Sequence, residues 1–170
     1  MFFAENEALS RIREETRRWL DDHLSGWGVT SFISLNFKEM RRCDTGAYIR
    51  LDERVARREI ELFCKRIDRA IYGRLVQRFN RRVRRIPFLE FGHDRGWHAH
   101  VIIECPDAVA EVRFHHLVRK AWAESSWSTN LHDRMADEGA PSYLAKKRSK
   151  AELEAWIDTI VLEAVVVDTK

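Results

Sequence analysis

The stretch Glu90-Phe-Gly-His-Asp-Arg-Gly-Trp-His98-Ala-His100-Val-Ile-Ile103 decides how this chain folds. Its flanks, Ile86 to Phe91 and Trp97 to Glu104, are rich in β-branched, aromatic and aliphatic residues, and Gly92 to Gly96 supplies turn chemistry between them. The pattern predicts two antiparallel strands. With the hairpin symmetric about Asp94, Glu90 stands opposite His98 and Phe88 opposite His100. Side chains alternate along a strand with period two, so Glu90, His98 and His100 share one face while Leu89, Phe91, Ala99, Val101 and Ile103 share the other. One face is apolar and the other carries a carboxylate and two imidazoles. A slip of one residue would break that grouping, so the register is a testable expectation.

Two neutral imidazoles and a carboxylate form a mixed nitrogen and oxygen donor set that leaves coordination positions open for water or substrate oxygens. Open positions point to catalysis rather than to a structural clip. The competing reading is two ordinary polar histidines on the wet face of a sheet with Glu90 a chance neighbour, because short patterns recur by accident. The matched register of the upstream carboxylate favours the metal. His93, His115 and His116 are read as solvated rather than ligating.

Outward from the hairpin, helices and strands come in mixed order. Leu9, Ile12, Thr16, Trp19, Leu20 and Leu24 recur at helical spacing, predicting a helix over 5–24. Residues 31–37 alternate like a strand, with Ile33, Leu35 and Phe37 on one face and Phe32, Ser34 and Asn36 on the other. Asp52 can cap a long helix whose stripe runs through Val55, Ile60, Phe63, Ile67, Ile71, Leu75 and Phe79. Pro106-Asp107 is expected to open another, with Phe114, Leu117, Val118, Ala121 and Trp122 facing inward. A short strand is assigned to Trp127–Met135, a short helix from Tyr143, and a C-terminal helix to 150–163. Helices alternating with an antiparallel sheet that keeps one open face make an α+β sandwich.

At 170 residues and 45% hydrophobic content the chain can bury one core, and a single domain over 1–170 is expected. No apolar run approaches a membrane span, and Met1-Phe-Phe-Ala-Glu-Asn-Glu lacks the character of a signal peptide, so the expectation is a cytoplasmic protein with no membrane partner. Cys43, Cys64 and Cys105 are odd in number and widely spaced, which disfavours a disulfide framework or a zinc knuckle and predicts reduced, mostly buried thiols.

The net charge of +3 does not by itself argue for a nucleic-acid partner, but its distribution is uneven. The chain from Arg54 to Arg85 is dense in arginine and ends in Arg81, Arg82, Arg84 and Arg85. Arginine grips phosphate through a planar fork of donors, so this last cluster, beside a metal site, suits a polyanion. From Arg54 to Arg69 a solvated helix face with alternating glutamates is the preferred reading. Further on, Pro141-Ser-Tyr143-Leu-Ala-Lys146-Lys147-Arg148 places a phenol and an ammonium at i and i+3 of a helix, within reach of one phosphate. A nearby cation lowers the cost of the phenolate and makes Tyr143 a plausible nucleophile. The alternative for this segment is a half-buried tyrosine with basic neighbours in solvent.

Taken together these segments resemble the HUH endonucleases, specifically the replication initiators of rolling-circle plasmids and phages. Three family motifs occur in the family's order: a Thr-Leu-Thr-Phe-like strand at Ile33-Ser-Leu-Asn-Phe37, His-hydrophobic-His at His98-Ala99-His100, and Tyr-x-x-Lys at Tyr143-Leu-Ala-Lys146. The resemblance spans about residues 30–148. It implies an RRM/ferredoxin-like sheet with helices on one face and the metal site on the other. It implies Mg²⁺ or Mn²⁺ on Glu90, His98 and His100, attack by Tyr143 on a phosphate of single-stranded DNA at an origin hairpin, and a 5′-phosphotyrosine link. Lys146 would neutralise the phosphate or help position the ligands. Asn36, Arg81, Arg82, Arg84, Arg85, Lys147 and Arg148 would contact DNA.

Departures matter as well. One tyrosine in the third motif leaves a second transfer to another protomer, another cycle or water. No Gly-x-x-x-x-Gly-Lys loop is present, so strand separation would need a partner helicase or supercoiling. The tyrosine follows the histidines, the reverse of the relaxase order. Single-tyrosine HUH transposases share the order but usually carry Gln after the tyrosine. Two readings from other classes are a non-catalytic single-strand-binding module using Phe32 and Trp97 and a 2-His-1-carboxylate iron oxygenase, which lacks an evident double-stranded barrel here.

Overall fold

In a computed structural model the chain is described over residues 2–92 and 96–135. The element order is α1 (Phe2–Leu24), β1 (Thr30–Phe37), β2 (Met40–Arg42), β3 (Tyr48–Arg50), α2 (Glu53–Tyr72), α3 (Leu75–Phe79), β4 (Arg85–Gly92), β5 (Gly96–Glu104), α4 (Glu111–Ala123) and β6 (Ser128–Met135). The protein is α+β, with a four-stranded antiparallel sheet in the order β4-β5-β1-β6 and a separate ribbon of β2 and β3. The helix assigned to 150–163 and the one from Tyr143 lie outside the described residues.

The alternation read from β1, β4 and β5 divides the sheet into two chemically distinct faces. On one face Ile33, Leu35, Leu89, Ala99, Val101 and Ile103 pack against Ile60, Phe63 and Ile67 of α2 and Phe114, Val118 and Trp122 of α4. Apolar burial of this kind stabilises by roughly 25 cal/mol per Å² of area removed from water. Asp52 caps α2 as its position suggests, its Oδ1 accepting from Val55 N at 2.7 Å. Ala99, small for its place between two histidines, is fully buried against this helical layer.

Four details differ from the sequence expectation. The long helix does not run through to Phe79: Gly73 adopts φ 54°, a conformation open to glycine, and ends α2, which leaves Leu75 and Phe79 exposed on the separate α3. Pro106-Asp107 forms a turn, with Val109 N donating to Pro106 O at 2.8 Å, and α4 begins only at Glu111. The ribbon of β2 and β3 was not expected from the pattern. Finally, not all helices share one face. Leu20 of α1 is buried with Phe32, Ile86, Phe88 and Ile102, all on the imidazole face, and Trp19, Leu24 and Trp27 pack around them. That lower half of the face is too apolar to stay wet, and α1 covers it.

The three cysteines form no disulfide; Cys64 and Cys105 are buried while Cys43, in the β2–β3 turn, is half-exposed. Among the described residues no helix is long and apolar enough to cross a membrane.

Candidate metal centre

The register of β4 with β5 pairs Glu90 with His98, Phe88 with His100, and Gly92 with Gly96, which is the arrangement centred on Asp94. Asp94 and His93 themselves lie outside the described residues. The consequence is direct: Glu90 Oε2 stands 3.4 Å from His98 Nε2 and 3.7 Å from His100 Nε2, and the three donor atoms lie within 4.8 Å of one another. Ligands about 2.1 Å from a shared ion lie about 3 to 4 Å apart, so this spacing suits a small divalent cation.

Ring orientation tests the fit independently. His98 Nδ1 lies 3.2 Å from Gly96 O. A carbonyl only accepts, so Nδ1 carries the hydrogen, and the neutral ring in this tautomer has its Nε2 lone pair toward Glu90. His100 Nδ1 lies 3.0 Å from Ser34 Oγ, and a hydroxyl that accepts there leaves the same lone pair at Nε2. Metal-ligating histidines are held in this way, with the second ring nitrogen tied to an oxygen. The residues fit the cation. Ser34 is the one supporting residue that the motif reading passed over; its signal was its place on β1 opposite His100, which only the sheet order reveals.

The rows across this face run from polar to apolar. The first holds Glu90, His98 and Asn36, the second Phe88, His100, Ser34 and His132, and the third Ile86, Ile102, Phe32 and Arg134. Phe32 stacks on His100 with ring centroids 5.3 Å apart, and the Arg134 guanidinium lies 5.1 Å from the centroid of the same Phe32 ring. The centre therefore sits where an exposed polar row meets a covered apolar one. Phe32 is only 4% exposed, and Trp97 shares the opposite face with Ala99, against Phe91. The two aromatics cannot form one stacking platform.

The basic cluster has largely intramolecular partners. Arg85 is 3% exposed and donates to Asp68 Oδ1 at 2.6 Å, so it presents no free fork to a phosphate. Asp68, itself fully buried, also accepts from Val83 N at 2.9 Å and lies 3.6 Å from Arg82. Arg84 forks onto the Glu104 carboxylate, with Nε donating to Oε2 at 2.5 Å, and lies over the Trp27 ring. Arg81 lies over Tyr72. The earlier part of the arginine run is a solvated helix face only in part: Arg54, Arg58, Lys65 and Arg69 are exposed, while half-buried Arg57 pairs with Glu53 and half-buried Arg66 reaches α4, 3.4 Å from Glu124. Asn36 is on the metal face as the register partner of His98.

His115 is not simply solvated as expected. It is half-buried, its Nδ1 2.5 Å from Asp133 Oδ2, because α4 crosses β6 at that point. His116 is exposed. Of the two described tyrosines, Tyr72 packs on the helical side of the sheet, where burial pushes its phenol up against the opposing pull of Arg81, and Tyr48 stands on the outlying ribbon. Tyr143, Lys146, Lys147 and Arg148 lie outside the described residues. No family model, curated protein or solved structure matches the chain.

Proposed function

We propose that this chain is a metal-dependent nicking and rejoining enzyme for single-stranded DNA, of the HUH type, that initiates rolling-circle replication. The observation that carries the reading is the convergence of Glu90, His98 and His100 at the register expected from the hairpin, with both Nδ1 atoms tied back. The antiparallel sheet, with β1 beside β5, is the setting such a site requires.

A divalent cation, Mg²⁺ or Mn²⁺, held by these three residues supplies Lewis acidity to a phosphate oxygen. Everything else falls to the chain. Ser34 and the Gly96 carbonyl fix the imidazoles, so the ligands need little reorganisation when a phosphate arrives. Tyr143 Oη would attack phosphorus while the P–O3′ bond breaks, leaving a 5′-phosphotyrosine and a free 3′-hydroxyl. Lys146 would neutralise the phosphate. The ester keeps the bond energy, so a 3′-hydroxyl can reverse the step and rejoin strands without ATP. A separate helicase would open the duplex.

The test is a covalent-adduct assay on single-stranded DNA flanking the gene, with Mn²⁺ present and mass spectrometry locating the linked residue. Tyr143→Phe should bind DNA and form no adduct, and chelation should abolish the adduct in the parent protein. DNA binding without an adduct on any flanking strand would count against the proposal.

A further inference from the structure

The β2–β3 ribbon buries little, yet it holds large side chains in solvent. Its cross-strand pairs are Met40 with Arg50, Arg41 with Ile49, and Arg42 with Tyr48. Alternation therefore puts Met40, Arg42, Tyr48 and Arg50 on one face and Arg41 and Ile49 on the other. Arg41 lies 5.0 Å over the ring of buried Trp127, so its face looks toward the body of the protein and the other looks out. On that outer face Tyr48 is 73% and Met40 56% exposed, and both arginines are exposed too.

Two strands of three residues are not stable alone, so the ribbon depends on its root. Lys38 N donates to Trp127 O and Leu51 N to Glu39 O, each at 2.8 Å, and Cys43 N donates to Ala47 O at 2.8 Å to close the turn. Arg42 is pre-ordered by its Nε donating to Gly46 O at 3.1 Å. The outer face carries no carboxylate; Asp44 sits in the turn beyond the ladder.

The ribbon also stands close to the metal end of the sheet. β1 leads into β2 through Lys38 and Glu39, and Met40 is four residues from Asn36, at most about 14 Å of extended chain. Glu39 turns inward against β5, where a Cβ on Gly96 would lie 3.5 Å from its Cγ. Lys38, Glu39, Arg50, Phe91 and Trp97 line a small cleft of about 60 Å³ between the two, on the helical side of the sheet, so a strand running from the ribbon to the imidazole side would pass round this end of the sheet.

We infer that the outer face of this ribbon grips the single-stranded DNA flanking the metal centre, with Tyr48 stacked on a base and Arg42 and Arg50 on phosphates. The inference rests on the proposed function for the identity of the bound strand. The chemistry selects this occupant over others of the same charge. An acidic peptide would use the arginines and leave Tyr48 idle, and a duplex keeps its base faces stacked away from a tyrosine ring. A single strand offers both groups at once.

The experiment is fluorescence anisotropy with the full chain, EDTA and a fluorescein-labelled mixed-sequence single-stranded 24-mer, over a range of NaCl. Tyr48→Ala should weaken binding about fivefold to tenfold, and Tyr48→Phe should restore it, because stacking needs the ring and not the hydroxyl. Arg42→Ala with Arg50→Ala should lower the slope of log affinity against log salt by about 1.4, two phosphates at about 0.7 each on a single strand. These exposed positions should leave thermal stability unchanged, which separates lost contact from lost fold. Unchanged affinity and slope in both variants would overturn the inference. So would absence of wild-type binding, or displacement by poly-glutamate as effective as by unlabelled strand. Binding through the ribbon with no covalent adduct would sustain the inference and sink nicking. An adduct formed by a wild type whose ribbon variants bind equally well would do the reverse.

Discussion

Metal binding should be visible as heat stability without any DNA. The three donor atoms already lie within 4.8 Å and both imidazoles are tied at Nδ1, so binding pays little ordering cost and acts on the folded state alone. At Mn²⁺ a hundredfold above its dissociation constant, linkage gives about 2.7 kcal/mol. For a domain of this size each kcal/mol moves the melting midpoint by about 2 to 4 °C, so a rise of about 5 to 11 °C is expected. Removing Ser34 Oγ frees one ring, and loss of such a partner lowers metal affinity about tenfold to a hundredfold. At the same Mn²⁺ concentration Ser34→Ala then keeps about 0.4 to 1.4 kcal/mol of stabilisation. Its rise falls to about 1 to 6 °C. His98→Ala and Glu90→Gln should show almost none. Differential scanning fluorimetry across a Mn²⁺ titration measures all four proteins. If Mn²⁺ raises the parent and His98→Ala equally, the triad is not the binding site. If Ser34→Ala responds like the parent while His98→Ala is flat, the triad binds but the hydroxyl does not orient it.

Three other outcomes follow from the packing. Asp68→Asn leaves the Arg85 guanidinium buried without a counter-charge and should cost about 3 to 5 kcal/mol in urea unfolding; a loss below about 1 kcal/mol would mean that Arg85 finds another partner. Leu20→Ala should cost about 2 to 5 kcal/mol and speed hydrogen exchange at Phe32 and Ile102, whereas a change below about 0.5 kcal/mol would show that α1 does not dock on the sheet. The Thr45 hydroxyl bonded to Cys43 holds that thiol below the usual range, while burial pushes Cys105 up. A lowered pKa means more thiolate as pH rises toward neutrality, so Cys43 should be alkylated first and Thr45→Val should slow it; equal rates in both proteins would remove the hydroxyl from the account.

The part of the fold read correctly from the chain is the part governed by period two. Turn residues between two alternating runs leave one register that buries Leu89, Ala99 and Val101, and the same register groups Glu90 with His98 and His100. Helix positions were harder because amphipathicity shows which side of a helix is buried and not what it is buried against. For that reason α1 was legible as a helix and illegible as the cover of the metal face. The stripe through Leu75 and Phe79 kept helical spacing past Gly73, and only a backbone conformation revealed the break. Charge density likewise leaves the partners of the charged groups unread. Arg85 and Arg84 find carboxylates 17 and 20 residues away, and His115 finds Asp133 18 residues away, partners that no local window contains.

The covering of the third row by α1 has a directional consequence. With Ile86, Ile102 and Phe32 roofed on the imidazole side and α2 and α4 filling the far side, the centre is a ledge open along its polar rows and walled beneath. Under the proposed function, a strand laid across it would meet the wall of α1 on one flank and the open polar rows on the other. A cleavage-protection footprint on a bound strand would therefore be lopsided, and its longer arm would report which way the polymer runs over the ledge.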